Sequence, residues 1–212
     1  MTNRWGWSVS SIVEAVTDEL PPISHVSERA PRRADEDWRD LFAELAAGRL
    51  VALDELYDAA APRIFGLALW RTGSKDDAED VVQEVFVRVA EQGARLAMVR
   101  NPRAWLMTVT NRAAIDVTRR RSRHQTEPLE QCAFLSAADD AGERTLEATQ
   151  VSALLAGLPD THRVVVYLKH FAGCTFAEIG TIVGVPKFTA ASRYRNSIQK
   201  LRKLLEGDHE AQ

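Results

Sequence analysis

The stretch CTFAEIGTIVGVPKFTAASRYRNSIQKLRKLL, Cys174 to Leu205, constrains the backbone more tightly than any other part of this chain. Thr175 and Glu178 form the T-x-x-E pattern in which a hydroxyl and a carboxylate cap free N–H groups reciprocally, so a helix starts after Thr175. Ile179, Ile182 and Val183 are its apolar residues. Gly184 can adopt the left-handed conformation that closes a helix. Pro186 fits the first turn of the next helix, where its missing N–H costs nothing. That helix carries Ala190, Tyr194, Ile198, Leu201 and Leu205 on one side. Lys187, Phe188, Ser192, Arg195 and Asn196 lie on the other, with Arg193 at the edge. A short helix, a glycine turn and a basic helix form a helix-turn-helix, whose second helix is suited to the major groove of DNA. A plain helical hairpin in a bundle is the alternative.

The remaining chain shares the helical period, and no strand-like alternation runs to a useful length. Trp38, Leu41, Phe42 and Leu45 form one stripe that stops at Gly48. Leu53, Leu56, Tyr57, Ile64, Leu67 and Ala68 form the next, which stops at Gly73. Ser74 can cap a third helix whose first turn is acidic, as free N–H groups and the helix dipole favour. Its core stripe is Ala78, Val82, Val85 and Val89, flanked by Val81 and Phe86. After Pro102, Leu106, Val109, Ala113 and Val117 face inward. The fold class is therefore all-α: two small helical domains joined by a flexible linker, the second containing the helix-turn-helix. The expected boundaries are an N-terminal extension over 1–36, a helical domain over 37–123, an acidic linker over 124–146, a second domain over 147–206 and a tail over 207–212. The extension is rich in proline and reads as a flexible arm, although Val9, Ile12, Val13, Val16 and Leu20 share a helical stripe.

The formal net charge of -3 hides alternating blocks. Residues 76–91 sum to -5, residues 99–125 to +6, residues 126–160 to -6 and residues 161–206 to +6. Two basic blocks in separate domains suit two contacts along one DNA. The acidic blocks suit a basic protein partner, or a segment that imitates nucleic acid. Solvated helix faces are the bland alternative. In the basic helix, Arg112, Asp116, Arg119 and Arg123 share a face, and Asp116 can pair with Arg112 or Arg120.

Several classes are excluded. No apolar run reaches the ~20 residues of a membrane span, and no secretory signal opens the chain, so a cytoplasmic protein is expected. Two cysteines cannot build a disulfide framework. His170 and Cys174 stand at i, i+4, but no second ligand pair is nearby, so neither a metal nor a cofactor is expected. The histidines are scattered, and no convergent catalytic set emerges; an enzyme is not expected.

DAEDVVQEVFVRV, NPRAWLMTVTNRAAIDVTRRRSR and LPDTHRVVVYLKHFAGCTFAEIGTIVGVPKFTAASRYRNSIQKLRKLL occur in that order. Over about 37–206 the chain closely resembles the two-domain, extracytoplasmic-function type of bacterial sigma factor. The resemblance implies a dissociable RNA polymerase subunit that chooses promoters, with an anti-sigma factor as a further partner. It implies that Asp77, Asp80, Gln83 and Glu84 meet the clamp helices of the largest polymerase subunit. It implies that Arg103, Trp105, Asn111, Arg112, Arg119, Arg120 and Arg123 serve the opened minus-10 element, with a base flipped near Val99–Pro102. Core packing is the competing role for Trp105. The resemblance assigns the minus-35 element to Lys187, Phe188, Thr189, Ser192, Arg193 and Arg195. The family usually has Gly-Thr-Val-Lys where this chain has Phe188, Thr189, Ala190 and Ala191. Phe188 can contact a thymine methyl in the major groove, or fold back onto the preceding helix. A self-sufficient helix-turn-helix regulator is the alternative function, although no heptads supply the dimer it would need.

Overall fold

The computed structural model describes the backbone of residues 32–124 and 157–210, and side chains within them over 38–123 and 157–203. The Val9–Leu20 stripe, the acidic linker, residues 147–156 and the Leu205 side chain lie outside these. Seven α-helices and one 3-10 segment make up the described fold. In chain order the first five elements are α1 (Arg32–Ala46), α2 (Val51–Thr72), α3 (Lys75–Gln92), the 3-10 turn (Gly93–Met98) and α4 (Pro102–His124). Three more follow: α5 (Asp160–His170), α6 (Phe176–Val183) and α7 (Lys187–Glu210).

The first helix starts earlier than the expected boundary at 37. Residues 32–37, RRADED, contain no helix breaker, so the arm's proline-rich character ends sooner than its composition suggested. Trp38, Phe42 and Leu45 are buried on its inner face. α2 is the central helix, packing on α1, α3 and α4. Every residue from Ile64 to Trp70 is buried, so this half of α2 is covered all round. Gly73 closes it at φ 68°. The Ser74 hydroxyl then accepts the Asp77 N–H at 3.3 Å and opens α3. Ala78, Val81, Val82, Val85, Phe86 and Val89 are all buried beneath α3. Tyr57 departs from its expected inward stripe. It is 45% exposed and rests its ring against Phe86 at 4.8 Å.

In the second unit Val164, Val165, Val166, Tyr167 and Leu168 on α5 meet Ala190, Ile198 and Leu201 on α7. The Thr175–Glu178 capping box is complete, and Gly184 closes α6 at φ 73°. Gly180 sets the tightness of this turn. It accepts the Val185 N–H at 2.8 Å, and a Cβ on it would sit 2.6 Å from the Val185 carbonyl oxygen. The two units also touch. Trp70 of α2 packs on Tyr167 and Phe171, and the Tyr167 hydroxyl donates to the Arg63 carbonyl at 2.9 Å. α6 lies against α4.

Candidate nucleic-acid and polymerase interfaces

The acidic helix α3 divides its charges between two faces. Asp76, Asp80 and Gln83 are exposed on the side away from its buried valines, in line with Val87, itself 55% exposed. Asp77 and Glu84 are only half-exposed because they turn toward α4. Arg121 reaches Asp77 at 3.2 Å; Arg120 comes within 3.8 Å of Glu84, which also pairs with Arg88. Of the four acidic-helix positions that the resemblance singles out, Asp80 and Gln83 are open to a partner. Asp77 and Glu84 also hold the arginines of α4. The Asp116 pairing suggested by spacing takes another form: Arg120 donates to the Asp116 backbone carbonyl.

The basic helix α4 is likewise two-faced. Arg112, Arg119, Arg120 and Arg123 are exposed. This row of guanidinium groups can meet phosphates and stack on bases. Trp105 is half-buried and packs against the core, its ring edge-on to Phe42 at 5.8 Å. Asn101 caps α4, its side-chain oxygen accepting the Ala104 N–H at 3.0 Å. An asparagine ahead of a helix-opening proline is the expected N-cap arrangement, and this pair is the sequence signal for the cap.

Arg103 and Asn111 point the other way, against α6. Arg103 is 6% exposed and Asn111 3%. The Asn111 side-chain amide donates to the Ile182 carbonyl at 3.1 Å. Its oxygen is buried with no partner among the described residues, an arrangement that costs about 1–3 kcal/mol. Arg103 lies 3.3 Å from both Glu178 carboxylate oxygens, and Asn101 donates to the same carboxylate at 2.6 Å. Glu178 thus serves two purposes, capping α6 and joining α6 to the start of α4. Burial alone would push its pKa up. Hydrogen bonds from the Thr175 N–H and Asn101, and the charge of Arg103, outweigh burial and hold it below the ordinary carboxylate value.

On α7, Lys187, Phe188, Ser192 and Asn196 are exposed, while Thr189, Arg193 and Arg195 are half-exposed. Phe188 is 84% exposed in the first turn, so it does not fold back onto α6. His170 is engaged by the Tyr194 hydroxyl at 2.7 Å.

The pattern of Sigma-70 region 2 matches residues 56–124, and that of Sigma-70 region 4 matches residues 154–203. The ECF RNA polymerase sigma factor SigL of Mycobacterium tuberculosis is 30% identical over 164 residues, covering 76% of this chain and 93% of the relative. SigK of Mycobacterium ulcerans, another ECF sigma factor, is 29% identical over 185 residues, covering 83% of this chain and 97% of the relative. The chain belongs to the ECF sigma factors of RNA polymerase.

Two solved structures share the fold of this sigma factor. CnrH, in complex with the cytosolic domain of CnrY, superimposes with a TM-score of 0.62 at 23% identity, covering 81% of this chain and 99% of CnrH. The sigma factor RpoE of Bartonella quintana, in complex with the anti-sigma factor NepR, gives 0.61 at 21% identity, with coverages of 72% and 96%. Region 2 takes in α2 from Leu56, α3 and α4; region 4 takes in α5, α6 and α7 to Lys203. The first region accounts for a helical unit that a self-sufficient helix-turn-helix regulator does not require. Sigma factors are transcription initiation factors rather than enzymes, and none of the described helices is long and apolar enough to cross a membrane.

Proposed function

We propose that this sigma factor divides its work by charge. The exposed face of α3, centred on Asp80 and Gln83, docks on the clamp helices of the largest polymerase subunit. The exposed arginine row of α4 holds the opened minus-10 strand, and the first turns of α7 read the minus-35 duplex. The observation that carries this is the separation of faces on α3 and α4. The acids pointing outward are left for a protein, while Asp77 and Glu84 face inward and hold Arg121 and Arg120 of α4. The domain boundaries follow the same division, with promoter recognition split between the unit over 37–123 and the unit over 147–206. The factor works in the cytoplasm, where core polymerase and promoters are.

Partners are core polymerase, promoter DNA and an anti-sigma factor. The third is supported by RpoE, solved with the anti-sigma factor NepR. Transcription by purified core polymerase plus this chain on a genomic fragment library tests the proposal. Discrete start sites sharing upstream elements at minus-35 and minus-10 are expected. Transcripts indistinguishable from those of core alone would refute it.

A further inference from the structure

We infer that Phe188 reads a C5-methyl group in the major groove, so that this factor accepts thymine or 5-methylcytosine at one minus-35 position and discriminates against unmethylated cytosine there. The inference rests on the proposed minus-35 role of α7 and names the chemistry read. Three observations carry it. Phe188 is 84% exposed, so packing within the protein does not account for its ring. It heads a stripe of α7 whose next members, Ser192, Asn196 and Gln199, are exposed and polar. A protein-docking patch gathers several apolar side chains. This stripe instead sets one apolar group among hydrogen-bonding groups of the kind that meet base edges, beside the exposed Lys187. Finally, the backbone that carries the ring is fixed. The Val185 N–H donates to the Gly180 carbonyl at 2.8 Å, and the Ala190 N–H donates to the Pro186 carbonyl at 3.1 Å. Phe188 stands between these two bonds, so its ring is presented at one place relative to α6.

A phenyl ring offers no conventional hydrogen-bond donor or acceptor, so it does not tell the O4 of thymine from the N4 amino group of cytosine. What it senses is apolar surface. Among the four standard bases only thymine places a methyl group in the major groove. 5-Methylcytosine carries its methyl on the same ring carbon, at the same edge of the groove. A position read by Phe188 therefore reports methylation as well as sequence, and cytosine methylation of the duplex tunes promoter choice. Covering one methyl group is worth about a fourfold change in affinity.

Core polymerase carrying the full chain selects duplexes from a pool randomised at the minus-35 element. Gel-shift competition then measures its affinity for a selected duplex and for altered forms of it. Each minus-35 thymine is replaced in turn by deoxyuridine, which lacks only the methyl group. At one position the replacement is expected to weaken binding about threefold or more. With cytosine at that position, 5-methylation should strengthen binding by about the same factor. Phe188→Gly alters an exposed side chain, so the unit stays folded, and this variant should respond to neither change. Wild-type affinities within about 1.5-fold for every replacement overturn the inference, as does a methyl effect that persists in Phe188→Gly. A loss of core-polymerase affinity in Phe188→Gly, with base preference unchanged, assigns the ring to a protein contact and overturns it too. The underlying reading fails separately. If the wild type selects no minus-35 sequence at all, α7 does not read that element, whatever Phe188 does.

Discussion

At the scale of single residues, the turn between α6 and α7 depends on Gly180. A methyl group there would meet the Val185 carbonyl at 2.6 Å. Backbone cannot retreat as a flexible side chain does, so Gly180→Ala is expected to destabilise the second unit by about 1–3 kcal/mol. Thermal melting checks this; an unchanged melting temperature would show that the turn relaxes freely. Phe188 poses the opposite case, a large apolar side chain left in water on the surface proposed to read DNA. Its exposure favours contact with a thymine methyl, worth of order 1 kcal/mol at one base pair. Phe188→Gly should therefore flatten the preference at one minus-35 position in a randomised promoter library. The same base preference in both proteins would eliminate direct readout by this ring.

Residues whose constraint is local were legible in the sequence. Ser74, Gly73, the Thr175–Glu178 pair and Gly184 each act within a few positions, and all stand where spacing put them. Gly180 was not legible, because what forbids a side chain there is a carbonyl brought close by the turn itself. Arg103 and Asn111 were assigned to DNA alone, because a sequence pattern shows that α4 has a second face but not which element covers it. Tyr57 kept helical period with the core, yet it lies at the rim, where Phe86 takes only one side of its ring.

At the scale of elements, α3 and α4 form a pair of oppositely charged helices whose contact faces were hidden in the charge count. Reversing Asp77 or Glu84 would disturb Arg121 and Arg120 as well as any partner. Replacing Asp80 and Gln83 by lysine changes only the exposed face. Asp80→Lys/Gln83→Lys should therefore weaken core-polymerase binding about tenfold or more, while stability moves by only about 0.5 kcal/mol per site. Competition against labelled wild type measures it.

The contact between α4 and α6 has its own signature in pH. Glu178 has a depressed pKa, so its contribution is complete above the ordinary carboxylate value of 4.5 and is lost as pH falls through the lower, folded value. Packing of the two units should be constant from neutral pH down to that range and weaken below it. Glu178→Gln should remove this acid dependence. A weakening that persists in the variant would assign it to another group.

At the scale of the whole molecule, the near-neutral total is the sum of faces with separate tasks. In the proposed division, outward acids on α3 serve a protein, inward acids hold Arg120 and Arg121, and the basic rows on α4 and α7 serve DNA. The two units share contacts through Trp70, Tyr167 and Glu178, while the arginine row of α4 and the first turn of α7 stay exposed. Titration of the factor into core polymerase in a run-off assay tests the division of labour most directly. Asp80→Lys/Gln83→Lys should recover wild-type transcript yield when added in excess, because its defect is in docking. Arg112→Ala/Arg119→Ala should bind core normally and stay impaired at every concentration, because its defect is in holding the opened strand. Recovery of both variants at excess, or of neither, would contradict the account.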